Sequence, residues 1–294
     1  MTELTRTFAD TRARYRGKVA LVPTMGYFHE GHLALMKAAR TAAETVVVSH
    51  FVNPLQFNDP SDLASYPRDL DRDLELAAAE KVDLLFSPPL SEMYPREPRT
   101  RVIVSGVSDR MEGPRRPRHF EGVATVVAKL FAGLRPEVAF FGRKDAQQLA
   151  VVRQLVTDLS FPITISGQPT LREADGLALS SRNVFLASED RPGALLISKG
   201  LFAAADLVEA GQRDGSVIED AVRHVNESIE VEYIELASQE NCERLFELDR
   251  PAFLAIAARV GKVRLIDNVH FDLVAGDVMA DRGIRLSAMS MLYS

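Results

Sequence analysis

The sequence predicts an α/β fold, in which a parallel sheet with helices on both faces is followed by a smaller α+β domain. Two observations lead to this prediction. Up to about residue 170, short runs of Val, Ile, Leu and Phe alternate with segments of helical periodicity, as in a parallel sheet covered on both faces. After residue 185, two long helical segments precede three short runs that are typical of strands.

Each element follows from its apolar pattern. In the first part, buried-strand patterns predict strands over 18–24, 45–52, 82–87, 101–105, 137–142 and 162–167. Amphipathic patterns predict helices over 32–44, 68–80, 122–134 and 144–158. The repeated strand–helix order implies right-handed crossovers, so we expect ligands beyond the carboxyl ends of the strands.

The second part is expected to be helical first and sheet-forming later. Its pattern predicts helices over 188–212 and 216–228, and strands over 231–236, 253–258 and 263–267. The first of these strands alternates polar and apolar residues, which indicates a half-exposed antiparallel sheet. From about residue 272 the tail is less regular, and we expect it to pack loosely.

Composition excludes several classes of protein. The chain has 294 residues, of which 46% are hydrophobic and 26% charged, as in ordinary globular proteins. A net charge of −6 argues against a general nucleic-acid binder. Cys242 is the only cysteine, so no internal disulfide can form and a reducing compartment is expected. No apolar run approaches about 18 residues, and no signal-peptide core is present, so we expect a cytoplasmic protein without membrane contact.

The most informative segment is Pro23–His32, which joins the first long strand pattern to an amphipathic helix pattern. A helix start leaves backbone N–H groups unpaired, so His29 and His32 there predict a cradle for nucleotide phosphates. Histidines that only hydrogen-bond within the loop are the alternative. A zinc site is disfavoured, because the spacing is not that of zinc proteases and the other histidines are scattered without paired cysteines.

Four further clusters follow the histidine motif. Asn53 and Gln56 sit in an apolar frame that suits a small polar ligand, although Asn-Pro is also a common turn. The Pro/Gly-rich segment 111–122 carries three arginines and is typical of a mobile flap or of a solvated charged loop.

The other two clusters follow later strand patterns. In one, Gly142 permits close backbone approach, Lys144 can neutralise a phosphate, and Asp145 can take Mg²⁺ through water. The alternative is that Lys144 is a surface residue and Asp145 only a charge at a helix start. In the other, the segment 180–183 offers hydroxyls and a guanidinium for β- and γ-phosphates, or helix-capping groups.

Taken in order, these motifs resemble those of the pantoate–β-alanine ligase family. Family patterns begin at Pro23, Phe51, Tyr66, His119, Gly142, Asp175 and Arg264, and the resemblance runs from about residue 18 to 270. It implies a Rossmann-like nucleotide-binding catalytic domain, which we place at 1–172, and a C-terminal lid domain at 173–294. It also implies a homodimer that uses Mg²⁺-ATP, D-pantoate and β-alanine.

The resemblance further implies a mechanism and a set of site residues. Pantoate carboxylate attacks the α-phosphate of ATP to give pantoyl adenylate and pyrophosphate, and the β-alanine amine then releases AMP. His29 and His32 are assigned to the α- and β-phosphates. Assigned around the triphosphate are Lys144, Ser180, Ser181 and Arg182. Further expected nucleotide contacts are Pro23, Thr24, Met25, Gly26, Gly142, Asp145 and Leu179. Pantoate is assigned to Gln56 and Gln148, with Asn53 and Met25 beside them, and Mg²⁺ to Asp73.

Departures from the family pattern lie at Tyr27, Phe28, Arg118, Arg143 and Ala146; the family usually has glycine at position 118 and an acid at 143. Three alternatives remain. A simple nucleotidyltransferase would need extra basic residues in place of the two glutamines. A class I aminoacyl-tRNA synthetase shares the histidine motif, but this chain is short, acidic and without a Lys-Met-Ser-Lys-Ser loop. A nucleotide sensor would keep the cradle without turnover, and pantoate-dependent pyrophosphate release separates it from an enzyme.

Overall fold

A computed structural model describes residues 2–274 and 277–293. The chain forms two compact units: the first contains the residues up to Phe141 together with Val151–Gln168, and the second contains Gly142–Ala150 and the residues from Pro169 onward. The division into a catalytic domain and a lid at residues 172 and 173 stays a prediction. Within the described ranges, no helix is both long and apolar enough to span a membrane.

A six-stranded sheet organises the first unit, with the strand order β1-β4-β3-β2-β5-β6. Its strands are β1 (Glu3–Thr5), β2 (Val19–Thr24), β3 (Thr45–His50), β4 (Leu84–Phe86), β5 (Val138–Gly142) and β6 (Thr164–Gln168). The pairings among β1 to β5 are parallel, which confirms the predicted sheet. The order reverses at β2, so the topological switch point, where ligands bind in such sheets, lies at its carboxyl end.

Helices connect these strands. They are α1 (Phe8–Arg12), α2 (Glu30–Ala42), α3 (Pro60–Ser65), α4 (Leu70–Ala79), α5 (Leu90–Met93), α6 (Glu112–Arg115), α7 (His119–Leu134) and α8 (Ala146–Asp158). The four predicted helices correspond to α2, α4, α7 and α8. Their apolar stripes explain them: Leu33, Met36 and Ala39 are buried along one face of α2.

The second unit is α+β, as predicted. It contains β7 (Leu171–Arg172), α9 (Arg191–Glu209), α10 (Gly215–Val225), β8 (Glu230–Ser238), β9 (Ala252–Val260), β10 (Val263–Val274), β11 (Asp277–Asp281) and β12 (Ile284–Arg285). The strands β11-β10-β9-β8 form an antiparallel sheet. The two helices and this sheet share one core, in which Leu201, Ile218 and Leu254 are fully buried.

Two predictions about elements were wrong, and strand β1 was not predicted. Segment 101–105 is not a strand, because the Val102 N–H donates to the Thr125 side chain of α7 (3.0 Å) and pairs with no strand. Strand β1 was missed, since three residues are too few to show a period. The tail is not irregular: β10 runs to Val274, and β11 returns along it as an antiparallel neighbour.

Candidate active site

The loop between β2 and α2, residues 25–29, is fixed by its backbone. Gly26 has a φ of +85°, and a Cβ there would lie 2.4 Å from His50 Nε2, so only glycine fits. The Thr24 hydroxyl accepts the Gly26 N–H at 3.2 Å and donates to the Ser49 carbonyl at 2.6 Å. These contacts hold the chain at the switch point, where the predicted nucleotide contacts Pro23 to Gly26 lie.

Asp73 holds the next two residues of this loop. Its carboxylate is fully buried and accepts the backbone N–H groups of Tyr27 (2.5 Å) and Phe28 (2.7 Å). His50 Nε2 lies 3.0 Å from the same carboxylate, and Tyr27 adopts a φ of +55°. A carboxylate surrounded by these donors has no open face for a cation, so Asp73 does not fit the expected Mg²⁺ ligand and acts instead as a loop anchor.

His29 and His32 cap α2 in tandem. His29 Nδ1 accepts the Gly31 N–H (3.1 Å), and His32 Nδ1 accepts the His29 N–H (3.3 Å). The centroids of the two imidazole rings lie 4.1 Å apart. An N–H can donate only to an unprotonated nitrogen, so in each neutral ring the proton sits on Nε2. The expected cradle is thereby corrected in one respect: the Gly31 and His29 backbone N–H groups are not unpaired, because the two histidine side chains accept them.

Phe28, a departure from the family pattern, is a core residue. Its side chain is fully buried. The centroid of its ring lies 5.6 Å from that of His32 and 5.9 Å from that of His50. The neighbouring Tyr27 ring lies beneath the Arg72 guanidinium at 5.3 Å. Both bulky residues therefore stabilise the histidine loop through contacts of their rings.

The amides Asn53 and Gln56 are buried and bonded to each other. Asn53 Nδ2 donates to Gln56 Oε1 (3.2 Å), and Gln56 Nε2 donates to the Met25 sulfur (2.8 Å). Helix α7 lies directly behind them, since a Cβ on Gly122 would come within 2.4 Å of the Leu55 carbonyl oxygen. The structure therefore brings Met25, Asn53 and Gln56 together, and their contact with pantoate stays a prediction.

The predicted flap contains a short helix, α6, and joins the amide cluster at its end. His119 Nδ1 lies 3.0 Å from the Gln56 carbonyl oxygen. Arg118, where the family usually has glycine, has φ +65° and ψ 0°. That left-handed backbone explains the usual glycine, because a side chain there costs about 1–2 kcal/mol.

In the second unit, strand β10 holds the turn that carries Lys144. Asn268 Nδ2 donates to the carbonyls of Arg143 (3.1 Å) and Lys144 (2.6 Å), and His270 Nε2 lies 3.1 Å from the Arg143 carbonyl oxygen. Burial lowers the pKa of His270 to about 4, so the ring is neutral at pH 7. Lys144 itself is half-buried.

Other predicted residues of this unit lie on the same turn or just after it. Arg143, a departure from the family pattern, forms ion pairs with Asp272 of β10 (3.0 Å) and Asp281 of β11 (3.2 Å). Asp145 is exposed and Gln148 half-buried, and the departure Ala146 is buried at the start of α8. A Cβ on Gly142 would meet no heavy atom nearer than 4.0 Å, so its close approach to a ligand stays a prediction.

Ser180 begins the serine–arginine segment as a cap. Its hydroxyl accepts the Arg182 N–H (3.3 Å) and starts a single 3₁₀ turn over Ser181–Phe185. Arg182 is exposed, while Leu179 is buried. The capping interpretation is therefore correct for Ser180, and the phosphate contacts of this segment stay a prediction.

A buried ion pair in this unit was missed by sequence reasoning. The fully buried Arg172 makes a bidentate bond to Asp267, with distances of 2.6 and 3.1 Å, and also donates to the Asn268 carbonyl (3.1 Å). The only signal was that Asp267 and Asn268 belong to the motif that begins at Arg264. Across residues 2–274 and 277–293, no three His, Cys, Asp or Glu side chains are grouped to hold a metal ion.

Known proteins match this chain in sequence and in structure. The model of the pantoate–β-alanine ligase family matches residues 1–270. A pantothenate synthetase from Syntrophobacter fumaroxidans is 49% identical over 263 residues, covering 88% of this chain and 93% of the relative. One from Heliobacterium modesticaldum is 46% identical over 261 residues, with the same coverage of both chains.

Solved structures are similar over nearly the whole chain. The crystal structure of pantothenate synthetase from Thermus thermophilus has a TM-score of 0.86 at 43% identity, covering 91% of this chain and 98% of that one. Pantoate–β-alanine ligase from Francisella tularensis, complexed with β-γ ATP and β-alanine, has a TM-score of 0.73 at 32% identity, covering 91% and 97%. The chain therefore belongs to the pantoate–β-alanine ligase family.

Proposed function

We propose that the chain joins D-pantoate to β-alanine with ATP as co-substrate, releasing pantothenate, AMP and pyrophosphate. The observation that carries the proposal is the tandem cap at His29 and His32, which fixes two neutral imidazoles at the switch point with their protons on Nε2. Family membership and the ATP and β-alanine complex of the Francisella tularensis enzyme support the choice of substrates.

In the first step, a pantoate carboxylate oxygen attacks the α-phosphorus, and the bond from that phosphorus to the bridging oxygen breaks to release pyrophosphate. The protein's task is to position the reactants and stabilise charge. The Nε2–H groups of His29 and His32 donate to α- and β-phosphate oxygens. The side chains proposed around the triphosphate are Lys144, Ser180, Ser181 and Arg182.

In the second step, the neutral β-alanine amine attacks the acyl carbon of pantoyl adenylate, the nitrogen loses one proton, and AMP leaves with the electrons of the broken C–O bond. Gln56 and Gln148 hold the pantoyl group, with Asn53 and Met25 behind Gln56. This intermediate is a mixed anhydride that water would destroy, so its site must exclude water.

A Mg²⁺ ion bound with the nucleotide would reduce the charge on its phosphates. Asp73 is committed to the loop, so we assign the water-mediated contact with this ion to the exposed carboxylate of Asp145. We also propose that the protein is a homodimer in the cytoplasm and that it has no nucleic-acid or membrane partner.

Formation of AMP tests this function directly. AMP should form only when ATP, D-pantoate and β-alanine are all present, and rapid-quench analysis without β-alanine should show pantoyl adenylate near one equivalent per site. Replacing His29 or His32 by Ala should slow adenylate formation by roughly 100-fold or more. Pyrophosphate release that does not depend on pantoate would contradict the ligase and favour a simple nucleotidyltransferase, whereas nucleotide binding without any turnover would favour a sensor.

A further inference from the structure

We propose that Tyr94 is a positioning residue: acting through Asn53, it helps to hold the direction of the Gln56 amide, so that the site presents an N–H donor to an acceptor oxygen of the acid substrate. The inference deepens the proposed function and rests on it, because Gln56 is there assigned to pantoate. Tyr94 lies just after α5, 41 residues from Asn53 in the chain, and no motif had singled it out.

The direction of the Asn53 amide is settled by four neighbours. Its Oδ1 accepts the Tyr94 hydroxyl (3.0 Å) and the Leu55 N–H (3.3 Å). Its Nδ2 donates to the Gly122 carbonyl (3.0 Å) and to Gln56 Oε1 (3.2 Å). Rotating this amide by half a turn would set its Nδ2 against the Leu55 N–H and its Oδ1 against the Gly122 carbonyl, and the Tyr94 hydroxyl would lose the oxygen to which it donates. Because the side chain is buried, water cannot repair such a mismatch.

The direction of Gln56 follows from that of Asn53. Its Oε1 is occupied by Asn53, so its Nε2 is the end that lies beside Met25, 2.8 Å from the sulfur. A thioether is a weak acceptor, so a carboxylate or hydroxyl oxygen is a better partner for these N–H groups. The site is therefore built to select a hydrogen-bond acceptor at this point.

Tyr94 is suited to begin the chain of hydrogen bonds that runs from its hydroxyl through Asn53 to Gln56, which we call the relay. Burial raises the pKa of its hydroxyl to about 12, so it remains a donor throughout the working range of pH. Its ring packs against Phe51, with centroids 6.0 Å apart. Phenylalanine at this position would keep that ring contact and lose only the donated hydrogen bond, so Tyr94→Phe isolates the relay from packing.

The test compares Tyr94→Phe with a matched control. Tyr15→Phe also removes a half-buried hydroxyl of the first unit, one that donates to the Leu134 carbonyl at 2.9 Å and has no link to the amides. Tyr94→Phe should raise the KM for pantoate by roughly 3- to 10-fold, the range expected for one hydrogen bond, and leave the KM for ATP unchanged within twofold. Tyr15→Phe should leave both constants unchanged.

A double-mutant cycle completes the test. If Tyr94 acts through the Gln56 amide, adding Tyr94→Phe to Gln56→Ala should raise the KM for pantoate no further. Three results would overturn the relay. In Tyr94→Phe, these are an unchanged KM for pantoate or an equal rise in the KM values for ATP and pantoate. In the Gln56→Ala background, it is a rise in the KM for pantoate as large as that in the single variant. Each of these results presupposes that wild-type protein forms AMP with pantoate; absence of that activity would instead refute the proposed function.

Discussion

Replacing Asp73 by Asn should show whether this residue anchors the histidine loop or binds a metal ion. The carboxylate accepts the Tyr27 and Phe28 N–H groups and lies 3.0 Å from His50 Nε2. An amide of the same size keeps one acceptor oxygen, while its NH₂ group replaces Oδ2 and faces the two donors at Tyr27 and His50. The loop that leads to His29 should therefore lose its fixed conformation, although the side-chain volume is unchanged.

The magnitude follows from the bonds lost. A hydrogen bond to a charged group contributes about 1.5–3 kcal/mol, so losing two of them costs about 3–6 kcal/mol before the loop relaxes toward water. If relaxation recovers half of the upper figure, about 3 kcal/mol remains against the productive loop. Because each 1.4 kcal/mol is a factor of ten, we expect kcat/KM for adenylate formation to fall by about 100-fold.

The assay measures adenylate formation while the Mg²⁺ concentration is varied. A loop anchor predicts a loss of rate that added Mg²⁺ does not restore, whereas a metal ligand predicts restoration. Asp83→Asn is the matched control, because Asp83 also accepts a backbone N–H (Val46, 2.7 Å) next to the same sheet but outside the histidine loop. The reasoning is refuted if Asp73→Asn stays within threefold of wild type, or if high Mg²⁺ returns its activity.

Three further predictions concern stability, measured by urea unfolding. Arg118→Gly should be more stable than Arg118→Ala by about 1 kcal/mol, because only glycine adopts the left-handed backbone without strain; equal stability would contradict this. Burial holds the pKa of His270 at about 4, below the unfolded value of 6.5, so the unfolded state binds the extra proton and up to about 3 kcal/mol of stability should be lost as the pH falls from 6.5 to 4. His270→Gln should flatten this dependence, whereas replacing the exposed His224 by Gln should not; an unchanged slope in His270→Gln would refute it. Asp267→Ala should cost about 3–5 kcal/mol by leaving Arg172 buried and unpaired, and Asp267→Leu with Arg172→Met should recover most of the loss, so an unrecovered double variant would count against the ion-pair argument.

Local patterns were sufficient to predict the parts of the site that are local in the chain. His29 and His32 lie three residues apart at a strand-to-helix turn, and Asn53 and Gln56 share one 3₁₀ turn, so sequence spacing already places each pair together. The parallel sheet was predicted for the same reason, because buried strands appear as continuous apolar runs.

Long-range contacts could not be predicted in this way. Asp73 is 46 residues from the Tyr27 N–H that it accepts, and Arg172 is 95 residues from Asp267. Nothing in the local sequence distinguishes such a carboxylate from a metal ligand or a surface charge. Segment 101–105 misled for a related reason: an extended segment that packs Val104 against the interior has the same alternation as a strand, whether or not a partner strand is present.

The charge at position 143 cannot be changed independently of the chain's C-terminal part. Arg143 stands where the family usually has an acid, and its partners Asp272 and Asp281 both lie beyond residue 270, where the match to the family model ends. Restoring an acid at position 143 alone would bring three carboxylates together beside the turn that carries Lys144. A segment transplanted between this chain and a relative must therefore include both strands β10 and β11, because the electrostatic balance of the turn is shared between distant parts of the sequence.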